Sequence, residues 1–128
     1  MSLLISCLFI AALMPYLAKV PLIMAIQKSS TYDNNYPRAQ ASNLTGFAAR
    51  AWAAHQNGFE SLLVFGVAVL SAIVTHHVTA VVEWLAVIHI LARCIYYGLY
   101  WMDLASPRTM VWAVGYLSAM AILGISIF

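Results

Sequence analysis

Glu60 and Arg93 are the residues of this chain that most need a physical reason. Each stands in an apolar stretch, and a charge at the centre of a membrane helix costs roughly 2.5–3.5 kcal/mol. Helical periodicity of about 100° per residue groups them with others. Arg50, Ala53, Asn57, Glu60 and Val64 share one helix face, and His55 points nearly the other way. On the next helix His89, Arg93, Tyr96, Tyr97 and Tyr100 form one stripe. Counted from His77 in the turn between them, Glu60 is 17 residues away and Arg93 is 16. The two should lie at similar depth, which predicts a direct Glu60–Arg93 ion pair. Such a pair could be structural glue between helices. Arg50, Asn57, Tyr96, Tyr100 and Arg108 project toward the same half, however, and they supply more donors than two helices need for pairing. A pocket for an anionic, polar ligand accounts for the set better. Guanidinium and amide donors recognise carboxylates, and a Tyr hydroxyl can donate to an anion or thiolate.

The elements that must position these side chains are membrane helices. The chain has 128 residues, 64% hydrophobic and 8% charged, against roughly 25% charged in a soluble domain. So few charges cannot cover a water-soluble globule. Disorder needs the opposite composition, and a net charge of +2 gives no nucleic-acid footprint. A membrane helix needs about 20 mostly apolar residues. Four such segments are expected over about 3–26, 44–75, 79–102 and 108–128, forming one integral membrane domain over 1–128. The fold class is an all-α bundle of four transmembrane helices.

Pro15 and Pro21 should bend or break the first helix. A cleaved signal peptide is not expected, because no basic residue precedes the apolar run and no A-x-A-like site follows it. Gln27 to Asn43 reads as a solvent loop rich in turn residues, with Asn43 or Thr45 capping the next helix. His76-His77-Val78 is a very short turn. Asp103 to Pro107 is a second short connection, with Ser106 as a helix cap before a proline. Lys28, Arg38 and Arg108 lie in or beside the first and third connections. The N-terminus, the His76-His77 turn and the C-terminus carry no Lys or Arg. The positive-inside rule then places both termini on the non-cytoplasmic side.

Other polar residues have ordinary expectations. Cys7 and Cys94 read as small buried hydrophobes. His76 and His77 read as solvent-exposed turn residues, and His89 as a satisfied helix-contact histidine. Trp52, Trp84, Trp101 and Trp112 sit near helix ends, as interfacial aromatics do. The Met residues are packing filler, and Gly115 and Gly124 allow close helix contact. No metal site is expected.

Two segments carry a family resemblance. The second helix reads Arg50-Ala-Trp-Ala-Ala-His-Gln-Asn57-Gly-Phe-Glu60, and the third reads Ala92-Arg93-Cys-Ile-Tyr96-Tyr97-Gly-Leu-Tyr100. With the long first loop and a basic residue opening the last helix, this resembles the MAPEG family, the membrane-associated proteins of eicosanoid and glutathione metabolism, especially its small bacterial members. The resemblance covers nearly the whole chain. It implies a homotrimer in a bacterial inner membrane, with glutathione held between neighbouring subunits near the cytoplasmic side. By motif position Asn57 and Glu60 would bind glutathione, with Glu60 near its amino group, and Arg93, Tyr96 and Tyr100 would line the same site. Arg108 is the nearest match to the arginine that activates the thiol in catalytic members. There are departures from the pattern. Ala53 stands where many catalytic members have Arg, and Gln56 and Asp103 stand where some have basic residues. Arg50, one turn back on the face of Ala53, would then compensate as a glutathione-binding cation, or else only cap the pocket.

The resemblance therefore implies a glutathione-dependent transferase or peroxidase acting on lipophilic electrophiles that reach the site from the bilayer. A non-catalytic binding or scaffold protein of the same fold is the alternative, and Ala53 motivates it. An ion or proton channel would need polar residues along a full path, whereas here they cluster in one half.

Overall fold

The computed structural model describes residues 1–29 and 31–128. Ser30, within the expected first loop, lies outside the described residues. Four long helices and one short one account for nearly all of the rest. They are α1 (Ser2–Ser29), α2 (Pro37–Ser42), α3 (Gly46–Val74), α4 (Ala80–Trp101) and α5 (Ala105–Ile125). All but α2 are long and apolar enough to cross a membrane. Helices are what an apolar chain must form in lipid, where backbone N–H and C=O groups find no water and must pair within their own segment.

α1 runs unbroken through Pro15 and Pro21, where a break was one of the sequence expectations. A proline ring removes one helical N–H and crowds the preceding turn, but neighbouring helices in a membrane can occupy the freed backbone. Here α3 does so. His55 is buried against α1, and its Nδ1 donates to the Pro15 carbonyl at 2.7 Å. A carbonyl only accepts, so the ring hydrogen is on Nδ1.

Besides Pro15, the buried residues of α1 are Leu4, Cys7, Ala11, Met14, Ala18, Leu22 and Ile26. Their spacing of three and four residues makes one narrow seam. Phe9, Leu13, Leu17 and Met24 face outward, as lipid-facing residues should. The matching seam of α3 is rich in small residues, with Ala51, Ala54, Gly58, Ala68 and Ala72 buried. Small side chains let helix backbones approach closely in a membrane. Gly58 is the tightest point. A Cβ there would collide with the Tyr97 hydroxyl and press on the ring and backbone of Pro15. α3 and α4 each pack on all three of the other long helices.

The connections refine the sequence expectations. The first is not wholly irregular, because it contains α2. Asp33 Oδ1 accepts from the backbone N–H groups of Asn35 (2.9 Å) and Tyr36 (3.0 Å), a local turn that such a residue favours. Gln40 reaches back from α2, donating to the Thr31 carbonyl and accepting from Asp33 N–H. Asn43 ends α2, and Thr45 is the N-cap of α3 without a side-chain cap bond. Thr79 caps α4, its side chain accepting from Val82 N–H at 3.4 Å. α5 begins three residues before the expected Arg108, with Leu104 rather than Ser106 at its N-cap. Pro107 still falls in the first turn, where a missing N–H costs little. Met1 N lies 3.1 Å from Glu83 Oε1, so the start of α1 is beside the start of α4. The 31–45 and 102–104 connections lie at the other end of the bundle.

Candidate functional site

The Asn57 side chain stands between Glu60 and Arg93. Arg93 Nη2 donates to Asn57 Oδ1 at 2.8 Å, and Asn57 Nδ2 donates to Glu60 Oε2 at 2.8 Å. The direct Glu60–Arg93 ion pair expected from depth is absent among the described residues. Depth was correctly read, but rotation around α3 puts Asn57 nearer to Arg93. A side-chain amide can accept from a guanidinium through its oxygen and donate to a carboxylate through its nitrogen at once. Arg93 is buried at 4% exposure, whereas Glu60 faces out of the chain. Arg93 Nε is also buried without a hydrogen-bond partner.

The arrangement continues along α4. The Arg93 guanidinium lies over the Tyr96 ring at 4.2 Å. Tyr96 meets Tyr100 edge to face at 5.5 Å, and the Arg108 guanidinium lies over the Tyr100 ring at 4.1 Å. Glu60, Asn57, Arg93, Tyr96, Tyr100 and Arg108 therefore form one continuous ladder. It runs from within the membrane helices to the end of the bundle where α4 meets α5. Three of its five contacts follow from helical spacing, and the other two, Asn57–Arg93 and Tyr100–Arg108, join different helices. Asn57 and Glu60 are three apart, Arg93 and Tyr96 three apart, and Tyr96 and Tyr100 four apart, so each pair shares a helix face. Cation–ring contact of this kind is worth more when desolvated.

Arg50 does not join this ladder. It pairs with Asp103 at 3.6 Å, on the connection between α4 and α5. Arg50 Nε and the Trp101 indole N–H are both buried there without partners. Gln56 is exposed, and Cys94 is exposed too, rather than buried as the sequence suggested. The free Cys7 is buried.

At the inner end of the ladder a cavity of about 130 Å³ opens between α3, α4 and α5. Asn57, Glu60 and Arg93 form its polar wall, and Ser61, Val64, His89, Trp112, Tyr116 and Ala119 complete it. His89 is a satisfied contact residue, as expected. Its Nδ1 donates to the Gly115 carbonyl at 2.8 Å, leaving Nε2 to accept from the Ser61 hydroxyl at 3.3 Å. Its ring stacks on Phe65 with centroids 4.1 Å apart. One imidazole so joins three helices. The α5 side of the cavity was missed in the sequence, where Trp112 reads as an interfacial anchor. The available signal was its spacing of four from Tyr116, and those two rings stack at 5.4 Å.

A family model described as the MAPEG family matches residues 3–128, nearly the whole chain. No curated protein and no solved structure matches.

Proposed function

The chain belongs to the MAPEG family of membrane proteins, and we propose that it is a glutathione-dependent transferase or peroxidase acting on lipophilic electrophiles. The observation that carries this reading is the ladder from Glu60 to Arg108. It lays a carboxylate, an amide, two guanidinium groups and two phenols along one line between membrane helices. Glutathione has an ammonium and a carboxylate at its γ-glutamyl end, a thiol on its central cysteine and a carboxylate at its glycine end, and the carboxylate, amide, guanidinium and phenol groups of the ladder complement that set.

The residues present fit such a ligand. Glu60 uses Oε2 for Asn57 and is an exposed residue, and the second oxygen of a carboxylate suits an ammonium group. Arg93 keeps one buried donor without a partner, which suits a carboxylate. Bound glutathione would supply the nucleophilic sulfur for conjugation or peroxide reduction. A free thiol has a pKa near 8.5. A cation such as Arg108 favours the thiolate by about 1.4 kcal/mol for each unit of depression. Arg93 and Asn57 orient, and Glu60 fixes the amino end. The protein needs no catalytic cysteine of its own.

The cavity in one chain is about 130 Å³, below the roughly 300–1,000 Å³ of ordinary ligand sites. Glu60 also faces outward from a helix that crosses the membrane, where lipid would penalise it. Both features support a homotrimer in which a neighbouring chain closes the site. Thiolate absorbance on adding glutathione, and conjugation of a generic electrophile in detergent, test the reading. Absence of binding at millimolar glutathione would sink it.

A non-catalytic scaffold of the same fold is the second reading. It is favoured by Ala53, which supplies no cation, and by Arg50, whose charge is engaged by Asp103. Under it Arg108→Ala leaves function intact, whereas Glu60→Ala disturbs assembly.

A further inference from the structure

Lys19 stands within α1, a helix long and apolar enough to cross a membrane, where a lone cation is costly. The chain has four carboxylates, and each is engaged elsewhere. Asp33 takes the backbone N–H groups of Asn35 and Tyr36, Glu60 takes Asn57, Glu83 lies against Met1 N, and Asp103 pairs with Arg50. Among the described residues none pairs with Lys19. It shares a crevice between α1, α2 and α3 with Arg38, Trp52, Gln56 and Phe59.

Depth and face say what Lys19 can meet. Leu8 lies against Gly66 and Pro15 against Gly58, so α1 and α3 run in opposite directions. Lys19, four residues past Pro15 and about 6 Å along the axis, is level with Ala53 and Ala54. Ser61 meets His89 and Asn57 meets Arg93, so α4 also runs against α3. Tyr96, three residues past Arg93, therefore stands at the level of Lys19, but on another face of the chain. The two faces flank one outward strip of α3. Gln56 and Phe59 border the crevice, and Glu60 and Val64 border the cavity beside the ladder. From Glu60 the strip continues through Leu63, Val67, Leu70 and Val74, all exposed. Its alternating spacing of three and four residues is the repeat along which like helices pack. Copies packed round such a seam join unlike faces in a closed ring. One chain's ladder then faces the next chain's crevice, and rotation about the membrane normal leaves depth unchanged.

The ladder is one cation short of its ligand. On the glutathione reading, Glu60 answers the ammonium, Arg93 a carboxylate and Arg108 the thiolate, while Arg50 is held by Asp103. The γ-glutamyl carboxylate shares a carbon with the ammonium and stays beside Glu60 and Arg93. The glycine carboxylate is left without a cation. We propose that Lys19 of the neighbouring chain supplies it, at the level of Tyr96.

This rests on the glutathione reading, and the test separates the two. Isothermal titration of the intact protein in detergent compares glutathione with its glycine monoethyl ester. The parent should prefer glutathione by about tenfold, as a charge-assisted hydrogen bond allows. Lys19→Gln should lose that preference and bind the ester like the parent. A Lys19→Gln protein that keeps the preference overturns the proposal and leaves the glutathione reading standing. A parent that binds neither ligand overturns both. Complementation tells which chain provides the lysine. Chains carrying Lys19→Gln and chains carrying Glu60→Gln are co-expressed and purified through two different tags. One site in each mixed trimer then joins a native Glu60 to a native Lys19 across the interface, and tight glutathione binding should return. If it does not return, Lys19 does not act from the neighbour. A last readout needs no ligand. In chains lacking Cys7 and Cys94, Lys19→Cys on one and Ala53→Cys on another should be joined by a short bismaleimide. Absence of the joined dimer overturns the interface itself.

Discussion

Asn57 is the residue on which the ladder turns, because it alone touches both charges. Asn57→Ala should leave a buried guanidinium short of an acceptor, at a cost of about 1–3 kcal/mol. Chemical unfolding in mixed detergent micelles measures this. Glu60→Gln is the informative contrast. A Gln carbonyl still accepts from Asn57 Nδ2, so stability should change by less than about 0.5 kcal/mol. The loss of its negative charge should nevertheless weaken glutathione binding at least tenfold by isothermal titration, a tenfold change being about 1.4 kcal/mol. If both variants bind glutathione like the parent, the ladder is structural only. The types and depths of these residues were legible in the sequence. The bridging amide was not, because a 100° periodicity places residues on a face but does not decide which of two neighbours a guanidinium reaches first.

At the scale of elements, α3 is held to α1 and α4 by the absence of a side chain at one position. Gly58→Ala should destabilise the bundle by about 1–3 kcal/mol, as overpacking does. Tyr97 is buried and stacked on Trp101, and Pro15 meets the added carbon with both its rigid ring and its backbone Cα. A thermal shift in detergent checks this; an unchanged midpoint would show that the helices have room to separate. The Arg50–Asp103 pair between α3 and the last connection should matter far less. Asp103 is 67% exposed, and pairs of that kind contribute about 0–1 kcal/mol. A double-mutant cycle with Arg50→Ala and Asp103→Ala gives the coupling. The seam of α1 was readable in the sequence as an apolar run, but the glycine contact was not. It depends on three helices converging, which no single periodicity encodes.

At the scale of the whole molecule, the start of α1 and the His76-His77 turn share one end, and the two basic connections share the other. That grouping agrees with the Lys and Arg distribution. Which end faces the cytoplasm is a matter for labelling. Single cysteines introduced at the N-terminus and at His76, in a chain lacking Cys7 and Cys94, should react from the non-cytoplasmic side only. The outward-facing Glu60 carries the prediction about assembly. Native mass spectrometry should return a trimer, and Glu60→Leu should alter its stability in detergent relative to the parent. A monomer throughout would remove the neighbour that the site is proposed to need.

Composition alone determined the solvent. With so few charges, lipid has to cover this chain; backbone hydrogen bonding then leaves helices or a closed barrel, and apolar runs of about 20 residues select helices. The number of long apolar helices and the identity of six ladder residues follow from runs and spacings along one dimension. Tertiary structure decided the rest, because rotation and convergence of helices are not properties of any single segment. It put Asn57 between Glu60 and Arg93 and drew Arg50 away to Asp103. It also gathered Lys19 and Arg38 from separate elements into one crevice. Each of those outcomes turns on a few ångströms of side-chain reach, a distance that only the packed bundle fixes.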